Sequence, residues 1–147
     1  IIVWKYLKNT DAIKKYQVLK NHHNYYIKTL LKFDDKIFVS ASFMSIIIWK
    51  LNYDNDKEVF ELSQKLSCHS KFVRSLLKIS NTIFISCSED NSIIQWKYYN
   101  GAFNILNSIK THHSDSINYC MSLTEGFFCT ASNDSNINIW KINGEKI

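Results

Sequence analysis

The sequence predicts an all-β fold, a β-propeller built from repeated four-stranded sheets, and three observations carry that prediction. Tryptophan stands at positions 4, 49, 96 and 140, so the spacings are 45, 47 and 44 residues, a period that marks a repeat architecture. A histidine precedes each of the last three at a near-fixed distance: His23, His69 and His113 lie 26, 27 and 27 residues before their Trp. Short runs rich in β-branched and aromatic residues alternate with turn residues throughout, as strands at regular spacing do. Four-stranded antiparallel sheets repeated radially form a propeller; an up-and-down barrel does not account for the fixed His-to-Trp spacing.

In chain order, residues 1–20 supply the last two runs of one unit, "IIVWK" and "AIKKYQVLK". Residues 21–66 form a unit with four runs from Tyr26 onward, in which a long charged loop, "NYDNDKE", precedes the fourth. Residues 67–110 form the next, with strands expected at 72–78, 82–88 and 92–97 and a fourth, "AFNILNSIK", after Asn100 and Gly101. Residues 111–147 repeat three runs from Ser116 and lack the fourth. The second runs, "IFVSAS" and "IFISCS", are apolar on both alternating faces, which suits inner strands buried between stacked sheets. The fourth runs alternate apolar with charged residues, as edge strands guarded by Lys do. All units belong to one propeller domain, and the chain reads as an excerpt of a longer ring because it opens on the tail of a unit.

Bulk properties narrow the partners. The net charge of +5 comes from scattered lysines and not from the patch or stripe of a nucleic-acid footprint, so no nucleic acid is expected. No apolar run reaches 18 residues, so no membrane span is indicated, and the first residues lack the pattern of a signal peptide. Cys68, Cys87, Cys120 and Cys129 share no C-x-x-C spacing and read as free thiols of a reducing compartment, cytoplasmic, nuclear or both.

Within the units, His69 is followed by Val73, then "SCSED", then Trp96; His113 is followed by Ile117, "TASND" and Trp140. This pattern resembles the WD-repeat family over essentially the whole chain. Two departures are common in that family: Cys68, His112 and His22 stand where Gly precedes the His, and Lys follows each Trp in place of Asp. A third is more serious. The second unit reads "SASFMS", one residue shorter, with Met44 where the turn Asp is expected.

The resemblance implies a propeller of the WD-repeat type, here about three and a half four-stranded blades of a seven-blade ring. It also implies hydrogen-bonded chains through His69, Ser86, Asp90 and Trp96, and through His113, Thr130, Asp134 and Trp140, with only His23, Ser40 and Trp49 left in the second unit. The chemistry of these types is structural. A buried indole N–H needs an acceptor, a Ser or Thr hydroxyl accepts it while donating to the His ring, and the Asp accepts from the other ring nitrogen. A Ser-His-Asp set also invites a hydrolase reading. The set recurs in each unit, however, and the Ser lies in an inner strand without a Gly-x-Ser-x-Gly elbow, so no catalytic residue is assigned. The His22-His23 and His112-His113 pairs lack a third ligand at ligand spacing, so no metal or cofactor is expected.

WD-repeat proteins commonly make partner contacts three and five residues after the His and just before the turn Asp. Carried over, these positions are Tyr26, Lys28, Phe72, Arg74, Ser116 and Asn118, with Phe43, Glu89 and Asn133. They place aromatics beside a Lys and an Arg, the composition that interface hot spots favour. "FVR" after the His, "FISCS" before an acidic pair, and Trp-Lys-x-x-Gly-Glu ending a unit resemble the ubiquitin-binding propeller of the phospholipase-activating-protein family, cofactors of an AAA segregase. That resemblance implies a non-catalytic, ubiquitin-binding scaffold in protein quality control; the alternative is a scaffold subunit of a ligase, RNA-processing or trafficking complex.

Overall fold

The computed structural model describes residues 1–143, 145 and 147; Gly144 of the C-terminal Trp-Lys-x-x-Gly-Glu pattern lies outside the described residues. Every regular element among them is a strand. A two-stranded sheet, β1 (Ile2–Leu7) and β2 (Ala12–Val18), comes first. Two four-stranded antiparallel sheets follow, ordered as in sequence: β3 (Thr29–Lys32), β4 (Ile37–Ala41), β5 (Ile46–Asp54) and β6 (Lys57–Leu66), then β7 (Val73–Lys78), β8 (Ile83–Ser88), β9 (Ser92–Tyr99) and β10 (Ala102–Lys110). A three-stranded sheet closes the series with β11 (Ile117–Ser122), β12 (Phe127–Ser132) and β13 (Ile137–Lys141). The first strands of successive sheets are neighbours, β7 packing against β3 on one side and β11 on the other. This is the arrangement of consecutive propeller blades.

The alternation of side chains across a strand puts a separate hydrophobic layer on each face of a blade. On β8, Phe84 packs with Phe33, Val39, Ile48 and Phe103 toward the preceding blade, whereas Ile85 and Cys87 pack with Ile117, Cys120 and Phe128 toward the next. A third layer joins Leu19, Ile47 and Trp49 to Val3, Phe38 and Phe60. Each large side chain sealed in these layers contributes roughly 1.5–3 kcal/mol through burial. In three blades the Trp also stacks on the Phe directly across the pair: Phe38 on Trp49, Phe84 on Trp96 and Phe128 on Trp140, with centroids 5.8, 6.0 and 6.0 Å apart.

The long charged loop expected at "NYDNDKE" is not a loop. Strands β5 and β6 run through it, leaving only Asn55 and Asp56 as a two-residue turn, both left-handed at φ 46° and 62°. Successive positive φ values are what a type I′ hairpin requires, and Asn and Asp tolerate them better than most residues. Asn100 and Gly101 make the matching turn between β9 and β10.

Outer strands carry a feature absent from the sequence expectation. Opposite each of Trp4, Trp49 and Trp96 the pairing slips by one residue, and just past the first two slips a Gln, Gln17 or Gln64, reaches the neighbouring blade, whereas Asn107 stands past the third. Gln64 donates from Nε2 to the Phe103 carbonyl and accepts from the Phe103 N–H at Oε1, both at 2.8 Å. Gln17 clasps Phe60 in the same way, again at 2.8 Å in both directions. A side-chain amide thus satisfies donor and acceptor of a backbone unit that no strand pairs.

Candidate protein-interaction face

In each four-stranded sheet the fourth-to-first connections and the second-to-third turns lie at the same end. His23, His69 and His113 sit on those connections, and the turn residues stand beside them. In the blade of β7–β10, His69 Nε2 lies 2.7 Å from Ser86 Oγ, which also accepts from Trp96 Nε1 at 2.9 Å. Since the single hydroxyl proton of Ser86 serves the ring, Nδ1 carries the other proton and donates to Asp90 Oδ2 at 3.1 Å. Asp90 also accepts from Ser70 N at 2.8 Å, Ser92 N at 3.0 Å and the Ser92 hydroxyl. Burial pulls the Asp90 carboxyl upward, but the hydrogen bonds from His69, Ser92 and Ser70 outweigh it and hold the group well below the usual carboxylate range.

The next blade repeats the chain. His113 meets Thr130 Oγ1 and Asp134 Oδ2, each at 2.9 Å, and Trp140 Nε1 donates to Thr130 at 2.9 Å. Asp134 accepts from Ser114 N and Asn136 N and is likewise held low, its donors overcoming the cost of desolvation. Ser86 and Thr130 are fully buried with both hydrogen-bonding roles committed, which removes them as nucleophiles. Among the described residues no cluster of three or more His, Cys, Asp and Glu is placed to hold a metal ion.

In the blade of β3–β6, His23 Nε2 reaches Ser40 Oγ at 2.7 Å and Trp49 Nε1 donates to it at 2.8 Å. Here the structure corrects the reading of Met44 as the residue in the Asp position. Met44 is left-handed at φ 54°, as are Asn91 at 64° and Ser135 at 67°, the residues that follow Asp90 and Asp134. Met44 therefore occupies the second turn position, and the residue missing from this blade is the Asp itself.

The turn so shortened docks on the neighbouring blade: Met44 N donates to the Lys71 carbonyl and Val73 N to the Ser42 carbonyl, both at 3.0 Å, and Phe43 bridges Phe72. An aromatic cluster results. Phe72 stacks on Tyr26 with centroids 4.6 Å apart and meets Phe43 edge-on at 5.0 Å. Tyr25 packs on Phe43 at 4.9 Å, and Lys28 Nζ stands 4.3 Å over the Tyr26 ring and 5.4 Å from that of Phe72. Tyr25 and Tyr26 remain 55% and 60% exposed, so the cluster is a surface and not a core.

The positions carried over from sequence therefore do not form one uniform ring. Tyr26, Lys28, Phe43 and Phe72 converge at the junction of two blades. Arg74 is not a free cation, because it pairs with Glu89 beside it. Ser116 backs Asn133, whose N–H donates to the Ser116 carbonyl at 3.0 Å, and Asn118 donates to the Asn133 side chain. The face thus grades from aromatic and cationic to polar. Tyr25 was missed by the spacing argument; the tandem "YY" two residues after His23 was its signal.

A comparison with family models matches the WD domain, G-beta repeat, at residues 60–97 and 103–141, together more than half of the chain. The chain belongs to the WD-repeat family. Each matched segment begins in an outer strand, β6 or β10, and runs through the third strand of the next blade, and it contains the whole His-to-Trp network of that blade. The departures from the WD-repeat pattern leave those two networks closed: Cys68 and His112 replace Gly without disturbing them, and Lys97 and Lys141 follow Trp. No curated protein matches the chain. WD-repeat domains mediate protein–protein contacts, and the exposed cluster at the end of β3–β10 is the part of this one with the composition of such a contact.

Proposed function

We propose that this propeller is a non-catalytic scaffold that binds ubiquitin through the face formed by Tyr25, Tyr26, Lys28, Phe43 and Phe72. The observation that carries the reading is the exposed aromatic cluster with a lysine ammonium over two of its rings, held by hydrogen-bonded turns of two blades. Rigid aromatics supply contact area at low entropic cost, and the polar side chains of Glu89, Ser116, Asn118 and Asn133 form the rim that such a patch needs. Ubiquitin as the partner is supported by the local likeness of "FVR", "FISCS" and the Trp-Lys-x-x-Gly-Glu ending to the ubiquitin-binding propellers.

A contact made by five side chains is a small transient interface, so affinity on the order of micromolar is expected. Calorimetric titration of monoubiquitin into the protein and into its Phe72→Ala form tests the proposal. Loss of roughly tenfold or more in affinity is expected, since a central aromatic anchor carries about 2 kcal/mol or more. Undetectable binding to the unmodified protein discards ubiquitin and leaves the general scaffold.

A further inference from the structure

Lysines that lie far apart in the sequence meet on the outer rim. The hairpins β1–β2 and β5–β6 stand side by side there, and a groove of about 510 Å³ runs between them. Four lysines line it, Lys5, Lys14, Lys15 and Lys57, against one carboxylate, Glu58. Lys5 and Lys14 pair directly across β1 and β2, so their stems leave the same face, a placement that like charges make unfavourable. Lys5 Nζ lies 3.5 Å from Glu58 Oε2. Among the described residues, Lys14, Lys15 and Lys57 have no carboxylate within ion-pairing distance. Asp54 stands opposite Lys57 in the ladder and Asp56 precedes it, but neither lines the groove. The groove thus carries an excess of positive charge that the described residues do not neutralise.

Its walls are fixed. Tyr16 Oη donates to the Glu58 carbonyl at 2.6 Å, and Gln17 clasps Phe60 from the same strand, so the two hairpins keep their spacing. The Tyr16 ring, Leu7 and Val59 give the groove an apolar strip, with Lys5 Nζ 5.1 Å from the ring centroid. This composition decides between anions. A compact phosphate is best held by the planar fork of Arg, and no arginine is among the described residues that line the groove. Flexible lysine stems beside an apolar strip suit carboxylates spaced along a chain, with apolar side chains between them. Glu58 on Lys5 is that contact made in cis. The groove opens at the turns joining third to fourth strands, the end away from His23, His69 and His113, so it is separate from the aromatic face.

We propose that this groove is a second docking site and takes an extended acidic segment of a protein partner. Its Asp or Glu side chains meet Lys5, Lys14, Lys15 and Lys57, and its apolar side chains meet Leu7, Tyr16 and Val59. The site does not rest on the ubiquitin reading. Placed at the other end of the blades, it leaves the aromatic face open, so that two partners can be held at once.

The test is amide chemical-shift mapping on the whole protein with three probes: a capped hexapeptide of alternating Glu and Leu, its Gln-Leu analogue, and a four-nucleotide oligothymidylate with the same number of negative charges as the acidic peptide. Saturable shifts are expected at Lys5, Leu7, Lys14, Tyr16 and Lys57 with the acidic peptide and none with the Gln analogue. Raising sodium chloride from about 0.05 M to about 0.5 M weakens binding roughly tenfold as the screening length shortens. The double variant Lys14→Gln with Lys57→Gln also weakens it roughly tenfold, whereas Glu58→Gln strengthens it about threefold by freeing Lys5. Absent shifts, equal shifts with both peptides, or unchanged affinity in the lysine variant overturns the site. Weaker binding by Glu58→Gln overturns the carboxylate contact at Lys5. An oligothymidylate that binds as tightly as the acidic peptide overturns the protein segment as occupant and makes the groove a nucleic-acid contact. Ubiquitin is not used in the titration, so the outcome is read independently of the aromatic face.

Discussion

Removing the Asp90 carboxylate with Asp90→Ala deprives four donors of their acceptor: His69 Nδ1, Ser70 N, Ser92 N and Ser92 Oγ. Ser70 is exposed, and water replaces the carboxylate there at little cost. His69 and Ser92 are 4% and 7% exposed, so their groups stay dry. His69 Nδ1 keeps the Ser92 hydroxyl as an acceptor at 3.1 Å, so Ser92 N and Ser92 Oγ are left as two buried orphan donors; at about 1–3 kcal/mol each, offset in part by no longer burying a carboxylate, they give a net loss of about 3 kcal/mol. The assay is urea denaturation of the protein and of the variant, compared through the midpoint at unchanged slope. The difference should also depend on pH. Folded Asp90 titrates well below the unfolded value of about 3.9, so its stabilisation is complete above that pH and declines as the pH falls toward the folded value. A variant with an unshifted midpoint at pH 7, or a difference that grows on acidification below pH 4, refutes the network as a source of stability.

Two further outcomes follow from the fold. Gln64→Ala leaves the Phe103 N–H and carbonyl without their partners on a residue only 1% exposed, for a loss of about 1–3 kcal/mol and faster amide exchange at Phe103; unchanged exchange there means that the clasp does not hold the two outer strands together. Asp56→Gly relieves a left-handed residue at the second turn position and should raise stability by roughly 0.5–1 kcal/mol, seen in the thermal midpoint; a lower midpoint contradicts the type I′ turn.

What was legible in the sequence is what repeats. The Trp period and the His-to-Trp spacing are set by blade geometry, so the succession of antiparallel sheets, their strand order and the His69 and His113 networks could be read without coordinates. Inner strands were legible because burial on both faces admits only apolar residues and small polar ones whose hydroxyls are hydrogen-bonded, as in "IFISCS". The misreadings fall where local chemistry has two solutions. The charges of "NYDNDKE" suit a solvated loop and equally a hairpin exposed on both faces, and only Asn55 and Asp56 at positive φ distinguish them. Met44 and a deleted Asp give the same string of letters, and the backbone angle decides between them. The pairing of Arg74 with Glu89 and the convergence of Tyr25, Phe43 and Phe72 depend on how neighbouring blades meet, which no single unit encodes.

The central claim, that partner recognition resides on the aromatic junction of two blades, is tested most directly by mapping chemical-shift changes on the protein as monoubiquitin is added. The account predicts saturable shifts concentrated at Tyr25, Tyr26, Lys28, Phe43 and Phe72, fading through Ser116 and Asn133, with the outer strands β6 and β10 unmoved. Shifts centred on those outer strands, or no shifts at millimolar ubiquitin, contradict it.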